Sequence, residues 1–437
     1  MRGASRIGAA APAASYGTNG SAAPGHARPR LLFLAQTLPY PPDGGVKIRT
    51  YHVLRLLART FDVTALCFYR VERDRHRGDV ARAVDALERF ARVEAFPIPQ
   101  QHNRVRMVWD HARSLVARRA YTVFTYESAD FRERLGHVLS ARSFDVVHMD
   151  SLDLSPYLGA LGSLPVVCTH HDIQSVLLAR RASIERAPWL RAYVAQQARL
   201  MRDEEIAVCS RVALNVTVSQ VDRATLERLV PGARATVVPN GVDTDFFRPL
   251  PETHRNTAPT GIVSVGGTNW LPNRDSLEYF CHDILPRIRA LGETSPVTWV
   301  GRASSAEREA YAARHGVELT GYVDDVRPYV HRAACYVVPI RAGGGTRVKI
   351  LDAWAMGKAV VSTSVGCEGL GAIDGHDILI RDDPAEFAEA VTEVLRNPEL
   401  RRHLGANARR TAVERFDWDV VGRAMADEYL ALAGTPA

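Results

Sequence analysis

Short apolar runs of strand length alternate with longer stretches of helical period along nearly the whole chain, and the alternation stops and starts again once. "RPRLLFLAQ" reads as a buried strand. It is followed by the loop "TLPYPPDGGVKIR", the helix "TYHVLRLLART", the strand "DVTALCFY", the helix "GDVARAVDALERFARV" and the short strand "EAFPIP". "DVVHMD", "PVVCTHHD" and "VALNVTVS" continue the series, with a long helical region from about Ser175 to Ser210 before the last of them. Strands separated by helices of ten or more residues form βαβ units, which build parallel sheets covered on both faces. The pattern restarts near Ala235, where "ATVVPNGVD" leads through a polar stretch to "GIVSVGG", "VTWVG", "VELTGYV", "CYVVPI", "AVVSTS" and "DILI".

At 437 residues the chain exceeds what one hydrophobic core holds. The expected architecture is α/β, with two doubly wound, Rossmann-like domains facing each other across a cleft. Residues 1–28, rich in Ala, Gly, Ser and Pro, read as a disordered tail, residues 29–233 as the first domain and 234–415 as the second. Residues 416–437 form a last amphipathic helix expected to pack back on the first domain. Doubly wound sheets bind ligands at the carboxyl ends of their strands, so the cleft between the domains is the expected binding site.

Composition removes several function classes. Hydrophobic residues make up 46% and charged residues 24%, with no apolar run long enough to span a membrane. Six cysteines lie far apart inside apolar runs, which argues against a disulfide scaffold or a zinc site. A reducing cytoplasm is the expected setting, with the inner face of the membrane a place such a protein could work. The net charge of +6 invites a nucleic-acid partner, but the arginines are spread over helix surfaces without a recognition motif, so none is expected.

Three stretches carry chemistry. In "VVPIRAGGGTRVKILDAWAMG", Gly343, Gly344, Gly345 and Thr346 form a strand-to-helix turn. Glycines let backbone N–H groups approach an anion, and the helix N-terminus adds partial positive charge. Arg347 and Lys349 bring full charges to the same place. A second pair, Gly44 and Gly45, precedes a helix in the first βα loop and carries Lys47 and Arg49. "VVCTHHDIQS" places His170, His171 and Asp172 just after a strand of the first domain, where a histidine–carboxylate pair, His171 with Asp172, suits contact with a sugar or an acceptor, the alternative being a polar strand end with a histidine capping the next helix. No ligand spacing for a metal fits these histidines. Separately, "RVRMVWDHARSLVARR" (104–119) lines Val105, Val108, Trp109, Ala112, Leu115 and Val116 along one helical face with arginines opposite. A basic amphipathic helix can lie on an anionic membrane, and a surface helix packed on a core has the same pattern.

From about Arg30 to Leu432 the chain resembles the GT-B glycosyltransferases, specifically the family-4-like retaining group of bacterial hexosyltransferases. "VVPNGVDTDFFRP" (237–249) looks like that family's interdomain signature. "VGGTNWLPNRDSLEYF", "LTGYVDDVRPYV" and "GGGTRVKILDAWAMGKAVVST" are similar to a branch linked to exopolysaccharide and other surface glycans. The resemblance implies that Asp352 binds the ribose hydroxyls of a nucleotide, that Gly45 belongs to the loop closing on the diphosphate, and that His171 is a donor-side histidine. It implies that backbone groups at Tyr322 and Val323 read the base. Gly344 stands where the family usually has an acid on the donor sugar. The family's usual Arg and Lys after the first strand of the second domain are replaced by Thr268, Asn269 and Asn273, and Arg347 and Lys349 could restore those charges from the neighbouring loop.

What the resemblance implies for function is transfer of a hexose-type sugar from a nucleoside-diphosphate sugar to a glycan, lipid-linked or small-molecule acceptor. Arg347, Lys349 and backbone N–H groups at Gly344 to Thr346 would stabilise the leaving diphosphate, with no cofactor and no metal. Peripheral membrane contact would accompany a lipid-linked acceptor. The alternatives are a nucleotide-sugar epimerase of the same fold and a non-catalytic nucleotide- or glycan-binding protein.

Overall fold

A computed structural model describes residues 28–70, 77–101, 103–250, 259–342 and 346–434. Two sheets organise them, and every strand pair in both is parallel. The first has the order β3-β2-β1-β4-β5-β6-β7, with β1 Arg30–Ala35, β2 Asp62–Tyr69, β3 Arg92–Pro97, β4 Val146–Met149, β5 Val166–His170, β6 Leu214–Thr217 and β7 Ala235–Val237. The second has the order β10-β9-β8-β11-β12-β13, with β8 Ile262–Val265, β9 Val297–Val300, β10 Val317–Leu319, β11 Cys335–Val338, β12 Val360–Ser362 and β13 Leu379–Ile380.

The apolar strands are continuous because helices cover both faces. Along β1, Leu32 and Leu34 enter one core while Leu31, Phe33 and Ala35 enter the other. Likewise Cys335 and Val337 of β11 face one core, and Tyr336 and Val338 the opposite one. In each sheet the strand order reverses direction once, between β1 and β4 and between β8 and β11. The loops leaving those strands diverge and open a crevice.

Two chain crossings lie side by side between the sheets. Val242 N–H donates to Phe416 O at 2.8 Å, and Trp418 N–H donates to Val242 O at 3.2 Å. A Cβ on Gly241 would sit 2.5 Å from the Trp418 ring, so a glycine is required where the crossings touch. Beyond the second crossing, the helix Trp418–Ala433 covers the first sheet. Trp418 stacks on His52 with ring centroids 4.6 Å apart, and the Tyr429 hydroxyl lies 2.6 Å from His148 Nδ1.

Four details differ from the sequence reading. The first helix starts at Gly45, with extended Gly44 as its N-cap, so Lys47 and Arg49 are helical. The region 175–210 is two helices, Gln174–Ile184 and Pro188–Cys209, because Pro188 cannot continue a helix through its own missing N–H and starts a new one. The strand Ala235–Val237 pairs with β6 and closes the first sheet instead of opening the second. The short apolar run reads the same in either place. Finally, the helix Arg104–Ala117 turns its apolar stripe outward: Asp110 and Ser114 are buried beneath it, whereas Val105 is 81% and Val116 86% exposed.

Candidate active site

At the β8–β11 reversal, two helices begin next to each other, Leu271–Tyr279 after β8 and Val348–Ala355 after β11. The Asn273 amide donates to Gly267 O at 3.2 Å, which orients its oxygen to accept from Lys349 Nζ at 2.8 Å. Gly266, at φ +156, packs so tightly on that amide that a Cβ would meet it at 2.7 Å. Burial, reinforced by the Arg347 charge, lowers the Lys349 ammonium to about 7. Arg347 is the N-cap residue of its helix, buried, with its guanidinium carbon 5.9 Å from the centre of the exposed Trp270 ring. Burial lowers its pKa, Glu368 and Asp172 raise it, and Arg180 lowers it. One turn beyond Lys349, burial pushes the Asp352 carboxyl up to about 7.

Lys349 and Asp352, three residues apart, share a helix face. Arg347 is buried and Lys349 and Asp352 are half-buried, and burial disfavours the ionic form of each. Asn269 lies exposed on the rim. Gly344 and Gly345 lie outside the described residues. The Thr346 hydroxyl donates across the domain boundary to Val218 O at 3.4 Å. Further along, Tyr322 is exposed with the Arg302 guanidinium 5.2 Å from its ring centre, while Val323 packs against the core.

Across the cleft, the β1–β4 reversal holds a different arrangement. Gly44 and Gly45 are exposed, and a Cβ on either would meet nothing within 4 Å. The chain's own packing therefore requires neither glycine. The accompanying cations do not face an anion site, contrary to the sequence reading. Lys47 pairs with Asp43 at 3.1 Å, and Arg49, 2% exposed, turns inward to Val238 O at 2.8 Å, Pro239 O at 3.0 Å and Asn240 Oδ1 at 3.1 Å. The physical reason is helical: starting at Gly45 puts Arg49 one turn in, on the buried side with Val53.

Asp150, immediately after β4, lies at the candidate site and was not singled out by the motifs. It is fully buried, accepts from Thr50 Oγ1 at 2.6 Å and lies 3.3 Å from His148 Nε2. Burial alone would raise its pKa, but His171 and His148 outweigh it and hold the carboxyl below the usual range. Its backbone carbonyl lies 2.8 Å from His171 Nε2. A carbonyl only accepts, so Nε2 carries the proton and a neutral His171 has its Nδ1 lone pair available. His170, by contrast, is buried on Asn215 at 3.0 Å. Asp172 faces Arg347, and burial raises its carboxyl to about 6. The only sequence signal for Asp150 was a carboxylate ending the apolar run "DVVHMD".

The halves meet directly beside this site. Arg180 and Glu368 form a two-point ion pair at 2.9 and 3.0 Å across the domain boundary, and Gly369, at φ +81, packs against Ser219. Histidine, aspartate and arginine of the first domain thus border the cations of the second.

Family models match the chain on both sides of the crossing: "Glycosyltransferase Family 4" over residues 43–246 and "Glycosyl transferases group 1" over 259–397. The chain belongs to the family-4 glycosyltransferases of the GT-B fold. Glycogen synthase of Mycobacterium tuberculosis is 26% identical to this glycosyltransferase over 303 residues, covering 66% of this chain and 69% of that one. Among solved structures, sucrose-phosphate synthase of Thermosynechococcus elongatus shares the fold at TM-score 0.65 and 17% identity, covering 92% of this chain and 99% of that one. HepE of Anabaena in complex with UDP shares it at TM-score 0.62 and 16% identity, covering 92% and 100%. Among the described residues of the glycosyltransferase, no group of three or more His, Cys, Asp or Glu side chains could hold a metal ion, and no helix is long and apolar enough to cross a membrane.

Proposed function

We propose that this glycosyltransferase moves a hexose-type sugar, with retention of configuration, from a nucleoside-diphosphate sugar to a glycan, lipid-linked or small-molecule acceptor, without a metal or cofactor. The observation that carries the reading is the pair Arg347 and Lys349 at the start of one helix, with Asn273 at the start of its neighbour and Asp352 one turn on. Relatives such as HepE, solved with UDP, make a uridine nucleotide the first donor to try.

In this reading the diphosphate lies over the two helix N-termini, where Lys349 and Arg347 neutralise the charge that builds on the leaving oxygens. Arg347 is buried and Lys349 half-buried, so less solvent has to reorganise around them during bond cleavage. Asp352 accepts the ribose hydroxyls. The bare backbone of Gly44 and Gly45 covers the diphosphate from the other domain, and His171 Nδ1 accepts a sugar hydroxyl. The acceptor hydroxyl enters on the face that the leaving group vacates, its proton passing to a departing phosphate oxygen.

The test is UDP binding by thermal shift, followed by donor turnover in excess EDTA. UDP at about 100 times its dissociation constant adds about 2.7 kcal/mol of stability. Turnover that persists in EDTA supports the charge assignment. Turnover abolished by EDTA and restored by Mn²⁺ contradicts it.

A further inference from the structure

An amphipathic helix on a soluble domain normally buries its apolar face. The helix Arg104–Ala117 does the reverse. Its inner side is polar: Asp110 accepts from the Gln100 amide at 2.7 Å and from Arg106 at 3.0 Å, and Ser114 accepts from the Gln197 amide at 2.9 Å. Its outer side carries Val105, Val108, Trp109, Leu115 and Val116, with Trp109 60% exposed. With exposed Ala112 between them, these residues form a continuous stripe at spacings of three and four, not scattered surface apolar groups.

A second helix extends the stripe. His111 contacts Tyr193, and Ser114 contacts Gln197, so the helix Pro188–Cys209 runs alongside in the same direction. Trp189, one turn before Tyr193 on the same face of its helix, is 74% exposed. The borders are cationic. The helix Arg104–Ala117 contains Arg104, Arg106 and Arg113 with Arg118 as its C-cap, and its one acid, Asp110, is buried; Arg106 pairs with Asp110 and Arg113 with Glu127. Arg104 and Arg118 make no ion pair among the described residues.

We propose that this ridge is a docking surface for an anionic lipid bilayer, which it enters to the depth of its valines and two tryptophans. Apolar side chains flanked by arginine, with tryptophan at the margin, match the layered chemistry of acyl chains below phosphate headgroups. A second copy of the chain fits poorly. A two-fold interface centred on the stripe would set Arg104 and Arg118 against their own copies, with no exposed carboxylate on Arg104–Ala117 to neutralise them. The helix follows β3, and so starts from the same sheet edge as Gly44, Asp150 and His171. Docking there brings the cleft edge of the first domain to the lipid surface. The inference does not depend on the identity of the donor.

The full chain is sedimented with vesicles of phosphatidylcholine alone and of phosphatidylcholine with phosphatidylglycerol. It is expected to pellet with the mixed vesicles and to leave them as salt rises. Trp109→Ser with Val116→Ser, both at exposed positions, is expected to weaken that binding by about tenfold or more, with the melting temperature and UDP binding unchanged. Wild type remaining in the supernatant with the anionic vesicles overturns the proposal, as does equal pelleting of the double variant. A dimer in sedimentation velocity that Val105→Arg dissociates also overturns it, because the ridge would then be a protomer interface.

Discussion

The two strand-order reversals have the same topology but treat charge in opposite ways. At the β1–β4 reversal the main ionic groups have internal partners. Asp150 is held by Thr50, His148 and His171, Arg49 bonds the crossing segment through both terminal nitrogens, and the glycine backbone and the His171 imidazole border the cleft. At the β8–β11 reversal, Lys349 has one neutral hydrogen-bond acceptor among the described residues, and Lys349 and Asp352 are both displaced to about 7 by burial. One half is built as a rigid wall. The other keeps its charges in an environment that disfavours them until a ligand arrives. Preorganised, desolvated cations are what a leaving diphosphate needs, and a wall with nothing left to pair is what a closing domain needs.

Stability is where this contrast produces the largest difference. Asp150→Ala leaves buried histidine and arginine groups without their carboxylate and is expected to destabilise the fold by about 3–5 kcal/mol. Lys349→Met removes a disfavoured charge and keeps the stem, so its melting temperature should match or exceed wild type. Thermal unfolding of both variants checks this, and equal losses would erase the distinction between the halves.

Next in size is the effect of Asp352 on nucleotide binding. Asp352→Ala is expected to weaken UDP by about 10- to 150-fold, the cost of a hydrogen bond to a charged group, and Asp352→Asn by less, because its amide oxygen still accepts. Titration calorimetry distinguishes them. Equal affinity in wild type and Asp352→Ala would remove this carboxylate from the nucleotide site.

The smallest expected change is at the wall. With open space around its Cα, Gly45→Ala should leave the melting temperature unchanged while lowering donor turnover, because its Cβ would stand where the diphosphate approaches. Unchanged turnover would make the glycine pair an ordinary helix start.

The layered fold was legible because buried parallel strands appear as unbroken apolar runs and their helices as regular periods. The placement of Lys349 and Asp352 in the first turns of a helix was legible for a related reason, the glycine-rich turn that ends the preceding strand, whereas the role expected of Asp352 came from the family resemblance alone. Three features were not. Arg49 looks like one more loop cation until the helix is seen to start at Gly45, which rotates it inward. Asp150 acquires meaning only from partners at positions 50, 148 and 171, brought together by strand pairing. The stripe on Arg104–Ala117 shows in the sequence, but periodicity records that a helix has an apolar face and not which way it turns.

The central claim is that Lys349 waits near neutrality for the diphosphate. With its free pKa near 7, Lys349 is mostly deprotonated at about pH 8, and a bound dianion should restore its proton. At that pH Asp352 is already ionised and so contributes little. UDP binding measured by calorimetry at about pH 8, in buffers of different ionisation enthalpy, should report uptake of close to one proton by wild type and none by Lys349→Met. Affinity of the wild type should also fall as pH rises above 7. No uptake by wild type, or the same uptake in Lys349→Met, would contradict the account.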